Sequence, residues 1–248
     1  MSAVRPLSGS GLLDLWERCG AKPPFERSLS LLEHGFPDLA RAEIETLDIR
    51  MRDRLLIELR TASIGAELEG RLQCPHCAEW LEFALETEAL RDTLAQEPPP
   101  RVHASACGGY EIHLRPASSR DLALAARARD LAAGRRLLLE RLVEIRDSEG
   151  RRVPSEELGA ELLAEAAERL ETLQSQCEIR LDFVCAACGA KHSHFFDAGA
   201  FFWLEISQAA RRLIDEVHEL AWAYGWPQSE ILAMSAGRRQ AYLDRIWQ

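Results

Sequence analysis

The sequence predicts an α+β protein in which a few β-strands lie at the centre and N-terminal, inserted and C-terminal helices surround them. Short alternating apolar runs before and after two pairs of cysteines predict the strands. These strands are expected at residues 66–73, 79–86, 178–184 and 192–197. Elsewhere apolar residues recur at spacings of three and four, most clearly over residues 202–224, and this spacing predicts amphipathic helices.

The paired cysteines are the most specific chemical signal in the sequence. In each pair two cysteines stand three positions apart on a predicted turn, so both sulfur atoms can point at one centre. Two pairs together supply four thiolates, which is the tetrahedral ligand set of a structural zinc. A strand before and after each pair completes the pattern of a zinc ribbon, here split into two halves. The predicted ligands of one structural Zn²⁺ are Cys74, Cys77, Cys185 and Cys188.

The long separation of the two pairs leaves other interpretations open. The pairs of a zinc ribbon usually lie about 15–20 residues apart, whereas about a hundred residues separate these two. The cysteines could instead be small buried hydrophobic residues without a metal, or a redox-active pair. A nearby histidine could also replace a thiolate, and the candidates are His76, His192 and His194. The remaining cysteines are predicted to be unliganded; they are Cys19, Cys107 and Cys177.

The chain divides into three predicted regions. Residues 1–65 form an N-terminal helical region, and residues 200–248 form a C-terminal helical region. Between them, residues 66–199 contain the split zinc ribbon, which closes a long insertion. The parts of this middle region are ribbon halves at 66–90 and 176–199, a β-hairpin at 101–116 and helices at 119–174.

The composition argues against several classes of protein. The net charge of the 248 residues is −10, which disfavours a general nucleic-acid-binding protein because such a protein needs a basic face. No stretch approaches the roughly 18 consecutive apolar residues of a membrane helix, and the first residues lack the pattern of a secretory signal. We therefore expect a cytoplasmic protein. In that reducing compartment, seven cysteines favour metal ligands over a closed set of disulfides.

Four local expectations concern individual segments. Residues 1–10 are expected to form a disordered or loosely docked tail, and one helical stretch with a break at Gly134 is expected from residue 121 to about 145. Several arginines are expected to form a solvated face together with glutamates, or alternatively a docking surface for an acidic partner. They are Arg50, Arg52, Arg54 and Arg60. Aromatic residues near the C-terminus are expected to pack the last helices on the ribbon, or alternatively to bind a partner. They are Trp203, Trp222, Trp226, Tyr242 and Trp247.

The sequence contains no recognisable active site. It lacks a glycine-rich phosphate loop, a Gly-x-Ser-x-Gly elbow and a His-Glu-x-x-His motif. A catalytic zinc needs an open coordination position, and four thiolates leave none. We therefore predict that the protein is not an enzyme.

The order and spacing of several segments resemble a known family. The segments are residues 54–60, 74–83, 115–122, 185–189, 216–226, 230–232 and 238–243. Together they resemble the baseplate or baseplate-hub assembly proteins of contractile phage tails and related contractile injection systems. The resemblance implies a structural or chaperone-like role in assembly, through contacts with baseplate, hub or tail proteins, and incorporation in a phage-tail-like particle as one outcome. A nucleic-acid-associated zinc-ribbon protein is the alternative, and a zinc enzyme is the third hypothesis.

Overall fold

A computed structural model of the chain describes residues 4–95, 103–107 and 109–246. Several sequence predictions fall outside the described residues. They are the first residues of the predicted β-hairpin, 101–102, residue 108 of the same hairpin, and the aromatic Trp247. Within the described part of the chain the α+β class is confirmed, and no helix there combines the length and the apolar character needed to cross a membrane.

Helices dominate the described residues. They are α1 (Gly9–Cys19), α2 (Pro24–Gly35), α3 (Arg41–Thr46), α4 (Ile49–Ser63), α5 (Thr87–Ala95), α6 (Ser119–Ala125), α7 (Leu131–Leu142), α8 (Ala160–Ser175), α9 (Ala198–Tyr224), α10 (Gln228–Ala233) and α11 (Ala236–Ile246). The strands are β1 (Glu67–Gln73), β2 (Trp80–Glu86), β3 (His103–Cys107), β4 (Tyr110–Leu114), β5 (Val143–Arg146), β6 (Arg180–Val184) and β7 (Lys191–Phe195).

Four helices, α1, α2, α4 and α9, build the main hydrophobic core. Helix α4 lies against both α2 and α9, and its Leu56 and Leu59 side chains are fully buried. Phe202 of α9 and Leu32 of α2 are buried in the same cluster. Burying one such side chain contributes about 1.5–3 kcal/mol, so the contacts between these helices are a main source of stability.

The strands form three separate antiparallel sheets. β1 pairs with β2, β6 pairs with β7, and β3, β4 and β5 form the third sheet in that order. The predicted ribbon halves are therefore two hairpins, not one continuous sheet. In these two hairpins Leu68 is the one buried strand residue. The helical core thus occupies the centre where the sequence placed the ribbon, because the outer face of each hairpin is largely polar and stays in solvent.

A short strand ends the inserted helices earlier than the sequence predicted. The predicted helix extends to about residue 145, but α7 ends at Leu142 and β5 follows it directly. Ile145 of β5 pairs with Ile112 of β4, and both side chains are buried. β-Branched residues fit a half-buried pleated surface well. The pairing with β4 therefore overrides the helical pattern of the preceding residues.

The break in the inserted helices also differs from the prediction. It lies between α6 and α7, where the Asp130 side chain accepts a hydrogen bond of 2.7 Å from the Ala133 N–H and caps α7. Gly134, the predicted break, lies inside α7 and is buried. A Cβ at Gly134 would lie 3.1 Å from the carbonyl oxygen of Ala125. This glycine therefore permits the close approach of α6 and α7.

The arginines of α4 do not form the solvated face that the sequence predicted. Arg52 and Arg60 are only 7% and 4% exposed. Arg60 donates to both carboxylate oxygens of Glu205 on α9, at 3.0 and 2.6 Å, and Arg52 pairs with the buried carboxylate of Asp53 at 2.6 Å. The planar guanidinium suits such buried, two-pronged contacts. Arg52 and Arg60 therefore form ion pairs inside the protein and are not available to an acidic partner.

The N-terminal segment is also more ordered than predicted. Leu7 is only 3% exposed and belongs to the main core, and its N–H donates a hydrogen bond of 3.0 Å to Ser63 Oγ. The Arg5 N–H donates to the carbonyl oxygen of Gly35 at 2.9 Å. Residues 4–8 are thus docked, because an apolar side chain and two backbone donors find partners on α2 and α4.

The C-terminal helices have a small hydrophobic cluster of their own. Helix α9 ends at Tyr224, and the next residue, Gly225, adopts the left-handed conformation with φ +69°. The Trp226 ring lies 4.5 Å from the Tyr224 ring and 4.8 Å from the Tyr242 ring, centroid to centroid. These aromatics pack on one another, not on the ribbon as predicted, whereas Trp203 joins the main core and Trp222 is 83% exposed.

Candidate metal centre

The two hairpins face each other through their inner surfaces. Along each strand, half-buried residues alternate with exposed ones. The Phe83 ring of β2 lies 5.4 Å from the Phe183 ring of β6, centroid to centroid, with the two planes tilted by 60°. Aromatic pairs at this distance and tilt attract each other by about 0.5–1.5 kcal/mol beyond the area that they bury. The contact therefore joins the inner faces of the two hairpins.

The two cysteine turns have the same backbone structure. In the first, the Cys74 N–H donates to the Glu79 carbonyl oxygen at 2.8 Å, and the Ala78 N–H donates to the Cys74 carbonyl oxygen at 2.9 Å. In the second, the Cys185 N–H donates to the Ala190 carbonyl oxygen at 2.9 Å, and the Gly189 N–H donates to Cys185 at 2.8 Å. The residue after each second cysteine has a positive φ. The sequence duplication is therefore a duplication of structure.

Ala78 is strained at its position in the first turn. Its φ is +59°, and it is the one non-glycine residue with positive φ in the described part of the chain. The corresponding residue of the second turn is Gly189, with φ +71°. A left-handed conformation costs an L-residue about 1–2 kcal/mol. We expect Ala78→Gly to raise the free energy of unfolding by about 0.5–1 kcal/mol, as measured by urea unfolding. A loss of stability would contradict this conformation.

The four sulfur atoms of the paired cysteines form one cluster. All four lie within 4.8 Å of one another. The sulfurs of Cys74 and Cys188 are 3.8 Å apart, and those of Cys77 and Cys185 are 3.7 Å apart, so each close pair joins the two hairpins. Four thiolates around a zinc at about 2.3 Å are separated by about 3.8 Å in a tetrahedron. The donor set and its spacing therefore fit a tetrahedral metal site.

The thiols of the centre titrate differently from one another. Burial opposes the ionisation of Cys74, but the backbone N–H groups of His76 and Cys77 outweigh it and lower the Cys74 pKa to about 6. The backbone N–H of Glu79 favours the Cys77 thiolate, yet burial and the contacts with Cys188 and Cys185 raise the Cys77 pKa to about 12. Four thiolates this close would repel one another, and a divalent cation bound among them would supply the charge that stabilises them together.

The histidines that the sequence offered as alternative ligands lie outside the sulfur cluster. His76 is exposed. His192 and His194 lie on β7 with their ring centroids 4.8 Å apart, and both rings contact the Phe183 ring. Both ring nitrogens of His192 and Nε2 of His194 are buried and have no hydrogen-bond partner among the described residues. The two imidazoles therefore pack against Phe183 within the β6–β7 hairpin.

Two of the remaining cysteines, which the sequence predicts to be unliganded, lie outside the four-sulfur cluster. Cys19 is buried in the main core. Cys177 is buried just before β6, its sulfur donates to the Leu173 carbonyl oxygen at 3.5 Å, and burial raises its pKa to about 11. Both thiols are therefore expected to be unreactive. The side chain of Cys107 lies outside the described part of the chain.

Gly70 of β1 leaves the space that the Phe83 ring occupies. The two residues are opposite each other in the hairpin, and a Cβ at Gly70 would lie 2.5 Å from Phe83 Cζ. We expect Gly70→Ala to lower the free energy of unfolding by about 1–3 kcal/mol, because the ring must move off its contact with Phe183. Urea unfolding tests this expectation. Gly237→Ala, which lies inside α11 and meets no atom within 4 Å, is the control, and equal stability of the two variants would contradict the expectation.

Arg50 of α4 connects the chain segments next to the two hairpins. It donates to the carbonyl oxygens of Leu94 at 3.1 Å and Thr93 at 2.9 Å, at the end of α5. It also donates to the Gln176 carbonyl oxygen at 2.7 Å, at the end of α8. The final carbonyls of a helix lack internal partners and attract a cation. Sequence reasoning missed this role, because nothing local marks an arginine that contacts residues so distant in the chain.

Comparison with known proteins gave one family. Residues 29–203, more than half of the chain, match the family model described as "T4 bacteriophage base plate protein". The matched range includes both cysteine turns. Neither the curated proteins nor the solved structures gave a match.

Proposed function

Because the chain belongs to the family of T4 bacteriophage base plate proteins, we propose that it is a zinc-stabilised structural or assembly factor of a contractile tail or injection-system baseplate or hub. The proposed role is non-enzymatic and acts through contacts with baseplate, hub or tail proteins. The family match confirms the resemblance of the sequence to baseplate proteins of contractile phage tails. The role at the hub and the identity of the metal belong to the proposal.

One observation supports the metal in particular. The two short distances between sulfur atoms, 3.8 and 3.7 Å, each connect one hairpin to the other. A Zn²⁺ held by Cys74, Cys77, Cys185 and Cys188 would therefore tie together segments separated by the whole insertion. Coordination free energy becomes folding free energy when the unfolded chain offers no preformed site. We propose that this metal fixes the hairpins for assembly and takes no part in a reaction, since four thiolates leave no open position.

The charge of the hairpins disfavours the nucleic-acid-associated alternative. The outer face of the β1–β2 hairpin carries exposed glutamates, including Glu67, Glu69, Glu82 and Glu86. A nucleic-acid-binding surface must displace cations from phosphates with lysines and arginines. We therefore propose partners among proteins. We also propose that the protein acts in the cytoplasm where tails assemble, and is then either retained in the particle or released.

Deletion of the gene tests the proposed role. We expect the deletion to leave tubes and sheaths without complete baseplates, as seen by electron microscopy, and we expect the wild-type gene supplied in trans to restore them. Quantitative mass spectrometry of complete particles then distinguishes the two forms of the proposal. A structural component is present in finished particles, whereas a chaperone-like factor is found only in assembly intermediates. Normal, complete particles from the deletion strain would overturn the proposal.

A further inference from the structure

One part of the inserted region differs from the rest of the chain in its charge. Lysine and arginine number 30 in the whole chain against 40 aspartates and glutamates, yet the α6–α7 turn and the first half of α7 are rich in arginine. Four exposed arginines, named the arginine face here, are Arg127, Arg129, Arg135 and Arg136. Arg129 pairs with Asp130 at 3.1 Å; the described residues supply no ion pair for the other three. The arginine face thus keeps a net positive charge, because one of its four arginines is paired with a carboxylate.

An apolar groove adjoins the arginine face. The groove lies between α7, β5, the segment before α8, and α8, and it encloses about 480 Å³. Its charged lining residues are two arginines, Arg136 and Arg152, and two glutamates, Glu140 and Glu156, so the positive charge comes from the neighbouring arginine face; the apolar lining includes Leu139, Val143, Leu158 and Leu163. Leu131, at the start of α7, is 80% exposed. Exposed apolar surface beside charged residues is typical of a protein-binding site, and the arginines select for an acidic partner.

The chain itself carries a surface of the complementary charge. The outer face of the β1–β2 hairpin, named the acidic face here, presents Glu67, Glu69, Glu82 and Glu86. Glu67 and Glu86 are directly opposite each other, and like charges in that position repel. Trp80, which is 53% exposed, lies on the same face with the Arg71 guanidinium 5.0 Å from its ring. The acidic face therefore combines unbalanced negative charge with one large exposed aromatic residue.

We propose that the arginine face and groove of one copy bind the acidic face of a second copy, with Trp80 entering the groove. The two surfaces match in size, because a seven-residue strand and the twelve residues of α7 each span roughly 20 Å. They belong to different hydrophobic clusters of the chain. The contact joins two different patches, so it is head-to-tail and leaves one free face at each end. Such contacts generate rings or chains, not closed dimers.

The strength of the contact follows from its size and its charge. Two faces of roughly 20 Å bury less surface than the about 1,200 Å² of a standard stable interface, so the association is weak. The net charge of −10 opposes association at long range. Screening within about 10 Å at 0.1 M salt reduces this repulsion, whereas charges in direct contact are screened much less. The association is therefore expected to depend strongly on both protein concentration and salt.

Sedimentation velocity of the full-length protein tests the proposal. We expect the average mass to rise with concentration at about 50 mM NaCl, and to fall to that of the monomer at about 500 mM NaCl, where the Debye length is only a few ångströms. Arg135→Glu/Arg136→Glu is expected to abolish the association. Arg211→Glu/Arg212→Glu, an exposed adjacent pair on α9, makes the same charge change and is expected to leave the association intact.

A charge-swap experiment tests whether the arginine face and the acidic face bind each other. Glu69→Lys/Glu86→Lys, at exposed positions of the acidic face, is expected to abolish the association by itself. Mixing this variant with Arg135→Glu/Arg136→Glu is expected to restore it, because each variant then offers the charge that the other requires. A wild-type protein that stays monomeric in low salt would overturn the proposal. So would arginine-face variants that associate normally, or an arginine face that binds duplex DNA in place of a second copy.

Discussion

Replacing both Cys185 and Cys188 by serine is expected to lower the free energy of unfolding by about 4 kcal/mol and to remove the proposed metal. Loss of a structural metal is among the few mechanisms by which a small change destabilises a protein this strongly. For a chain of this size, each kcal/mol lowers Tm by about 2–4 °C. The expected decrease in Tm is therefore about 8–16 °C, measured by calorimetry. The helical core keeps its own contacts, so the chain is expected to remain folded at room temperature.

A second cysteine variant separates the loss of the metal from the effect of a new hydroxyl group. Cys177 is buried outside the sulfur cluster, so Cys177→Ser introduces a buried hydroxyl but leaves all four sulfurs in place. We expect this control to lose about 1–3 kcal/mol and to retain its metal. A chelator should destabilise the wild type and the control but not the double variant. Equal effects of the chelator on all three proteins would contradict a metal at the four cysteines.

Asp121→Asn is expected to lower the free energy of unfolding by about 3 kcal/mol at neutral pH, because it removes the charge from a buried network. Asp121 is 1% exposed. Its carboxylate accepts two hydrogen bonds from Arg115, at 2.7 and 2.9 Å, and one from Arg141 Nε at 2.8 Å. The Ser118 hydroxyl donates to it at 2.7 Å, and the two residues form the capping box of α6. The network therefore connects β4, α6 and α7.

The effect of Asp121→Asn should also depend on pH. Burial opposes ionisation, but hydrogen bonds from Arg115, Ser118 and Arg141 outweigh it and hold the pKa of Asp121 well below its usual range. Below the unfolded pKa of about 3.9, the unfolded chain takes up a proton that the folded chain does not bind. The contribution of Asp121 is thus complete at neutral pH and decreases as the pH falls below about 5. The difference between wild type and variant should shrink accordingly in urea unfolding at pH 7, 5 and 4.

Asp130→Asn is the matched control for this variant. Asp130 also caps a helix, but it is exposed and accepts a hydrogen bond from the Ala133 N–H. Asparagine caps a helix about as well as aspartate does, so this control should change stability by less than about 0.5 kcal/mol. An Asp121→Asn variant that behaves like the control would mean that Arg115 and Arg141 are not held by the carboxylate.

The sequence predicted well those parts of the fold that depend on residues close together in the chain. The first pair of strands was predicted at residues 66–73 and 79–86 and is observed at Glu67–Gln73 and Trp80–Glu86. Alternation of apolar residues and the tight turn between them define such a hairpin without help from the rest of the chain. The convergence of the two cysteine pairs could also be predicted, because the chemistry of four thiols implies a shared centre.

Features that depend on contacts between residues far apart in the chain could not be predicted from the sequence. Whether Arg60 lies in solvent or against Glu205 depends on the packing of α9 on α4, which no local pattern reports. The strand β5 likewise exists because β4 offers it an edge, although the residues before it are strong helix formers. The two hairpins remain separate sheets for a similar reason. Their relative placement is set by Phe83, Phe183 and the helices beneath them, not by strand pairing.

X-ray absorption at the zinc edge, on protein purified without added metal, tests the central claim most directly. The method reports both the presence of the metal and the identity and distance of its ligands. The proposal predicts about one zinc per chain, surrounded by four sulfur atoms at about 2.3 Å. A protein without metal, or a zinc with nitrogen or oxygen ligands in place of any of the four sulfurs, would contradict the proposal that Cys74, Cys77, Cys185 and Cys188 tie the two hairpins together through a zinc ion.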